Sequence, residues 1–193
     1  MVPQLRDVAE LWSGRYEQLG RLRDGTFRSS LGRDPLEIPS TAVLAGGLLG
    51  TTCFRLPDAT VRCMGTNYTG AVGDGTTRDA RWPVDPGLRG VRSLAAGLLH
   101  TCAALTDGSV WCWGDTTDGA VGPTAAPTEY CDERSSPKRM CVTRPARVSG
   151  IDHVEQVFAG LGVTCASRSD RSIWCWGLIE HGRIARTPVQ VPW

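Results

Sequence analysis

The chain repeats itself, and no other feature limits its fold so strongly. The segments GTTCFRLPDATVRCMG (residues 50–65), LHTCAALTDGSVWCWG (99–114) and GVTCASRSDRSIWCWG (162–177) align without a gap. Each follows a small-residue run: LAGGL, LAAGL or VFAGL. A degenerate copy of the ending stands earlier as LWSGRYEQLG, residues 11–20. The closing glycines Gly14, Gly65 and Gly114 recur about every 50 residues, and Gly177 follows about 14 residues late. A period near 50 is that of a propeller blade of about four short strands.

Each unit reads in that way. In the copy that closes at Gly114, residues 91–95 read as a first strand, 101–105 as a second and 109–113 as a third. A short fourth strand is introduced by Pro145, with Pro35, Pro83 and Pro188 as its counterparts. Proline donates nothing to a ladder, so it suits the start or the edge of a strand. Sustained helical periodicity is absent from the repeats. The expected fold is therefore all-β: β-propeller blades, about 3.5 repeats of roughly 50 residues in a single repeat domain spanning 1–193. Residues 1–39 read as the second half of a repeat, 40–90 as a repeat, 91–150 as a repeat with an inserted loop at 123–144, and 151–193 as a repeat. The insertion accounts for the late glycine, and insertions within repeats map to loops on one face, often the binding face.

The eight cysteines follow the same rhythm. Cys53 pairs with Cys63, Cys102 with Cys112 and Cys165 with Cys175, with Asp58, Asp107 and Asp170 midway between partners. If a three-residue hairpin loop is centred on that aspartate, as in Thr106-Asp107-Gly108, the cysteines face each other across two antiparallel strands. Directly opposed residues have Cα atoms about 4.5 to 5.5 Å apart, inside the range a disulfide accepts. Each bond contributes up to about 3 kcal/mol by closing its short loop. Cys131 and Cys141 share the spacing but lie in the insertion, where a disulfide would tether a polar segment. Buried free thiols are the alternative. Zinc is disfavoured, because its structural ligands come in close pairs and His100, His153 and His181 fall at different places in their units. No metal and no cofactor are expected.

With 21 basic and 20 acidic residues the formal net charge is +1, too weak a field to gather nucleic acid or an anionic membrane surface. No stretch reaches the roughly 18 to 20 apolar residues of a membrane span, and residues 1–20 lack the apolar core of a signal peptide. Cysteine usage nevertheless points to an oxidising compartment, so an extracytoplasmic or secreted location is expected, with the cytoplasm as the alternative.

The run VRSLAAGLLHTCAALTDGSVWCWG, residues 91–114, resembles the repeats of the regulator-of-chromosome-condensation family in their bacterial, disulfide-bearing form. The shared marks are a small-residue strand end, His-Thr-Cys-Ala, Asp-Gly and Val-Trp-x-Trp-Gly. The family's Gly-Gln-Leu-Gly-like tetrad has counterparts at Glu17–Gly20, Gly70–Gly73, Gly119–Gly122 and Gly182–Ala185. The resemblance covers nearly the whole chain and implies a seven-bladed ring in complete members, of which this chain resembles about half. A fragment of a longer product is the expectation. The alternatives are a ring completed by association through open blade edges, with itself or another chain, and a degenerate remnant.

No chemistry-bearing constellation stands out. The glycine-rich run at residues 70–75 has no following helix and so lacks the geometry of a phosphate loop. Trp111, Trp113, Trp174 and Trp176 alternate around cysteines and read as packing between blades. His100 has Thr51 and Val163 as equivalents in the other units and reads as a hydrogen-bonding structural residue. The three midpoint aspartates read as turn residues. The expectation is a non-enzymatic protein-binding scaffold whose insertion contacts another protein through Tyr130, Asp132, Glu133, Arg134, Lys138 and Arg139. The resemblance implies protein partners in general, including a small GTPase, and nucleotide exchange on such a GTPase is the alternative activity. A carbohydrate-active propeller enzyme would need clustered carboxylates at the ring centre.

Overall fold

The computed structural model describes residues 7–13, 18–30, 36–47, 49–126, 128–132 and 138–192. Sixteen strands fall into four antiparallel sheets among these residues. The first holds β1 (Val8–Ser13), β2 (Gln18–Leu22) and β3 (Phe27–Ser29). The second holds β4 (Val43–Gly46), β5 (Thr51–Arg55), β6 (Val61–Gly65) and β7 (Ala80–Val84), paired in that order. The third contains β8 (Val91–Ala96), β9 (His100–Leu105), β10 (Val110–Asp115), β11 (Glu129–Asp132) and β12 (Arg139–Arg147). Its spatial order is β11-β12-β10-β9-β8. The fourth holds β13 (Val154–Ala159), β14 (Val163–Arg168), β15 (Ile173–Leu178) and β16 (Ile184–Val191), after a single 3-10 turn at Glu180–Gly182.

Turn chemistry sets the central hairpin of each sheet. The Asp107 carboxylate accepts from the Ser109 backbone N–H at 2.9 Å and from its hydroxyl at 2.6 Å. Asp58 with Thr60 and Asp170 with Ser172 do the same. These contacts mimic a backbone turn and lock a short loop. The resulting register places Cys53 opposite Cys63, Cys102 opposite Cys112 and Cys165 opposite Cys175. All three pairs are disulfides, with Cα atoms 4.0, 4.1 and 4.1 Å apart.

Sheets stack face to face, and the alternation of cysteine with tryptophan decides which face meets which neighbour. Trp113 donates from its indole nitrogen to the Ala71 carbonyl of the preceding sheet at 2.7 Å. Trp176 repeats this on Ala120 at 2.8 Å. Both indoles are fully buried in one apolar core that runs through the last three sheets. A smaller core joins the first two sheets, where Phe27 meets Phe54 edge to face at 5.3 Å.

Proline placement follows the ladder rule. Pro83 and Pro188 lie on β7 and β16, which end their sheets. Pro145 lies on an internal strand, but β11 pairs only with the Arg139–Cys141 portion of β12 and leaves the proline region clear.

Three regions differ from the sequence reading. Residues 11–20 do not form a repeat ending: Leu11 and Trp12 lie in β1, and Gln18 to Gly20 lie in β2. The hairpin tip of this unit is Asp24, which accepts from the Thr26 N–H and hydroxyl as Asp107 does from Ser109. The unit therefore contributes first, second and third strands, because Leu22-Arg23-Asp24-Gly25-Thr26 carries the turn chemistry whereas Leu-Trp-Ser-Gly shares only a tryptophan and a glycine. Gly14, Glu17 and Pro35 lie outside the described residues, and Leu36 and Ile38 are buried without forming a strand. The insertion also differs from the expected loop, since it supplies β11 and the beginning of β12. Gly182 to Ala185, matched to a loop tetrad in sequence, runs from the 3-10 turn into β16.

Candidate functional site

The insertion is built outward from β10. Asp115, at the end of that strand, is buried and ion-paired with Arg139 at the start of β12. The Met140 carbonyl accepts from the Thr116 N–H at 3.0 Å and from the Thr116 hydroxyl at 2.9 Å. These contacts extend the fourth strand beyond its usual length and give β11 a ladder to join. Glu129 sits opposite Cys141, and its carboxylate accepts the Thr143 hydroxyl proton. Tyr130 pairs with Met140 and is 59% exposed, with the Lys138 ammonium 5.0 Å from the centre of its ring. That distance is within cation–π range.

The structure sorts the expected contact residues. Tyr130 and Lys138 stand together at the surface. Arg139 is half-buried, and its guanidinium is ion-paired with the buried Asp115 carboxylate. Asp132 ends β11, while Glu133 and Arg134 lie outside the described residues.

Cys131 and Cys141, matched by their spacing in the sequence, are both buried and are not bonded to each other in the structure. Cys141 opposes Glu129, and a bulge lies between Tyr130 and Asp132, at Cys131. The neighbouring Cys131 thiol, together with burial, pushes the Cys141 thiol well above the usual range. Cys131 donates to the Arg139 carbonyl at 3.6 Å.

Two further places gather side chains or open space. The first strands of the second, third and fourth sheets line an open cleft of about 480 Å³, with Leu44, Leu94, Val157 and Phe158 on its walls and no carboxylate. Glycoside hydrolysis would need a pair of carboxyl groups. The joint around His100 is the other. Its Nε2 lies 2.9 Å from the Thr164 hydroxyl, which itself donates to the Ala120 carbonyl at 2.8 Å. Nε2 therefore carries the proton. Burial lowers the pKa of His100 to about 4, against a weaker opposing pull from Asp115. A neutral imidazole with its donor spent on a neighbouring sheet is a structural link, as the sequence reading expected. Sequence did not reveal Thr164 as its partner, since the two residues are 64 positions apart.

Among the described residues no group of three or more His, Cys, Asp or Glu side chains could hold a metal ion. No helix there is long and apolar enough to cross a membrane.

Residues 91–120 match the family model described as the regulator of chromosome condensation (RCC1) repeat. A search of curated proteins finds no match. Solved structures match in fold. Yeast RCC1 (Prp20), crystallised with Kap60 bound, superposes with a TM-score of 0.76 at 20% identity, over 96% of this chain and 48% of that one. Prp20p from Saccharomyces cerevisiae, in a second structure, gives 0.73 at 16% identity, over 99% and 52%. Human WBSCR16 gives 0.65 at 19% identity, over 87% and 43%. The chain thus spans about half the length of the solved proteins it matches. Residues 91–120 thus match the regulator of chromosome condensation repeat, and the chain carries the β-propeller fold of the yeast structures.

Proposed function

We propose that this chain is a non-catalytic, protein-binding propeller segment whose docking element is the insertion of the third sheet. The observation that carries this reading is β11, a fifth strand at the outer edge of a blade whose neighbours have four or fewer among the described residues. An outermost strand presents backbone donors and acceptors to another chain. Beside it Tyr130 offers an exposed, amphipathic ring, and tyrosine is enriched at protein interfaces. The similar yeast structures are of a protein crystallised with Kap60 and examined for binding to Gsp1p and histones, which supports protein recognition as the general use of the fold.

Photocrosslinking tests the reading, with benzoylphenylalanine in place of Tyr130 and, as a control, in place of the exposed Arg186 on β16. A discrete protein adduct formed from position 130 and competed away by unlabelled chain is expected. Adducts no more frequent or specific at 130 than at 186 would remove the insertion from consideration.

Regulation of a small GTPase is the second reading, and it rests on the likeness to Prp20p and its binding to Gsp1p. Release of a fluorescent guanine nucleotide from a small GTPase, unchanged when this chain is added in excess, would dismiss it. For location, the three hairpin disulfides are compatible with an oxidising environment, and we place the chain outside the cytoplasm on that ground.

A further inference from the structure

We infer that Cys131 and Cys141 form a fourth disulfide site, closed by exchange with a low-molecular-weight disulfide such as oxidised glutathione, and that closing it pins the edge strand β11 to β12.

Geometry carries the case. In a regular antiparallel ladder Cys131 would be a diagonal neighbour of Cys141, and diagonal Cα atoms lie about 7 to 8 Å apart, too far for a disulfide. The bulge between Tyr130 and Asp132 advances β11 by two residues while β12 advances by one. This draws Cys131 back along the ladder, on the same face as Cys141. The Cys131 sulfur lies 3.6 Å from the carbonyl of Arg139, two residues from Cys141 on β12, and both cysteines are buried. Closing the bond needs no new element to form.

The environment also sets the order of steps. Cys131 is 9% exposed and Cys141 fully buried, with the Cys141 thiol held protonated by its neighbour and by burial. The Cys131 thiolate attacks the glutathione disulfide, forms a mixed disulfide and expels one glutathione thiolate. Cys141 then loses its proton and attacks the Cys131 sulfur, expelling the second. Two protein thiols are oxidised, one glutathione disulfide is reduced to two thiols, and the two S–H protons leave on them.

The site differs from the three hairpin bonds in what it holds. Those join strands already bound side by side through a locked turn. Here the strands flank residues 133–137, and β11 has a neighbour on one side only. A cross-link at this point governs how often β11 leaves β12.

The experiment uses the full chain, equilibrated in oxidised glutathione, alkylated and digested without reduction for mass spectrometry. The expected result is a Cys131–Cys141 linked peptide beside the three hairpin links. Alkylation of both residues while the hairpin bonds are closed would overturn the inference, as would pairing of Cys131 with any other cysteine. A second readout compares amide hydrogen exchange at residues 129–132 in the oxidised chain and in a Cys131→Ser, Cys141→Ser double variant. Exchange faster by about tenfold or more in the variant is expected. Equal rates would overturn the pinning role, and the linkage map decides the bond whether or not the variant folds.

Discussion

His100 and Thr164 join two consecutive sheets through a 2.9 Å contact between Nε2 and the hydroxyl, with the imidazole buried at 2% exposure. Burial lowers the histidine pKa in the folded chain to about 4, against an ordinary value of 6.5. The sign follows from proton linkage. Between these values the unfolded chain takes up a proton that the folded chain refuses, so stability is highest above pH 6.5, falls as pH drops toward 4, and then levels off for this group. The full difference amounts to about 3 kcal/mol as an upper figure. Urea denaturation at pH 7.5, 5.5 and 4.5 checks it, run beside His100→Gln, which keeps a donor near the Nε2 position and cannot titrate. An identical fall in both proteins would assign the effect elsewhere.

Gly114 closes its repeat because nothing larger fits. Its φ is +108°, and a Cβ there would stand 2.5 Å from the Leu99 carbonyl oxygen and 2.6 Å from the His100 Cα. Both obstacles are backbone, so neither can rotate away. Gly114→Ala should cost about 3 kcal/mol or more, combining left-handed strain with a displaced strand connection. Gly87→Ala is the control, since φ is +88° there but a Cβ meets nothing within 4 Å, and only the conformational cost of about 1 kcal/mol remains. Thermal melts of both variants test the difference. Equal losses would mean that the close approach to Leu99 contributes nothing.

Ala59 occupies the hairpin-tip position that Gly108 holds in the next sheet, and it does so at φ +60°. A side chain in the left-handed region is strained by about 1 to 2 kcal/mol, partly offset by the entropy that glycine loses on folding. Ala59→Gly should therefore raise stability by about 0.5 to 1 kcal/mol, read as a higher urea midpoint at unchanged slope. A midpoint at or below that of the parent would show that the second sheet relieves the strain in another way.

The readable parts of the fold were those in which one short segment carries its own geometry. Asp107 and Ser109 are two residues apart, so turn, register and the Cys102–Cys112 bond follow from local chemistry. Alternation around Cys112 likewise sends Trp113 to the opposite face, where it meets Ala71. The first unit escaped because it lacks both cysteines and the paired tryptophans, leaving only the polar turn at Asp24 to mark it. The added strand β11 was hidden for a different reason. Its ladder depends on β12 being prolonged by the Arg139–Asp115 ion pair and the Thr116–Met140 contacts, and these partners lie 24 residues apart. Nothing in the local pattern of Glu-Tyr-Cys-Asp announces a strand without them. In the candidate site, Tyr130 was legible as a surface aromatic, whereas the ion pair of Arg139 with Asp115 was not, since the two lie 24 residues apart.

The Cys165–Cys175 bond should be the first of the three hairpin disulfides to open. Cys53, Cys63, Cys102 and Cys112 are fully buried, and the Cys102 sulfur lies 3.5 Å from the Thr164 hydroxyl of the following sheet. Each of those two bonds is therefore covered by the next sheet. Cys165 is only half-buried and Cys175 retains 7% exposure. A reductant must reach a sulfur along the bond axis, so access decides the order when the three hairpins are otherwise alike. Graded treatment of the native chain with a phosphine, followed by alkylation and peptide mapping, should label Cys165 and Cys175 before the other four. The rates should converge in denaturant, where the covering sheets are lost. Simultaneous labelling of all three pairs under native conditions would mean that the sheets separate before reduction, and that stacking between them is weaker than the buried Trp113 and Trp176 contacts imply.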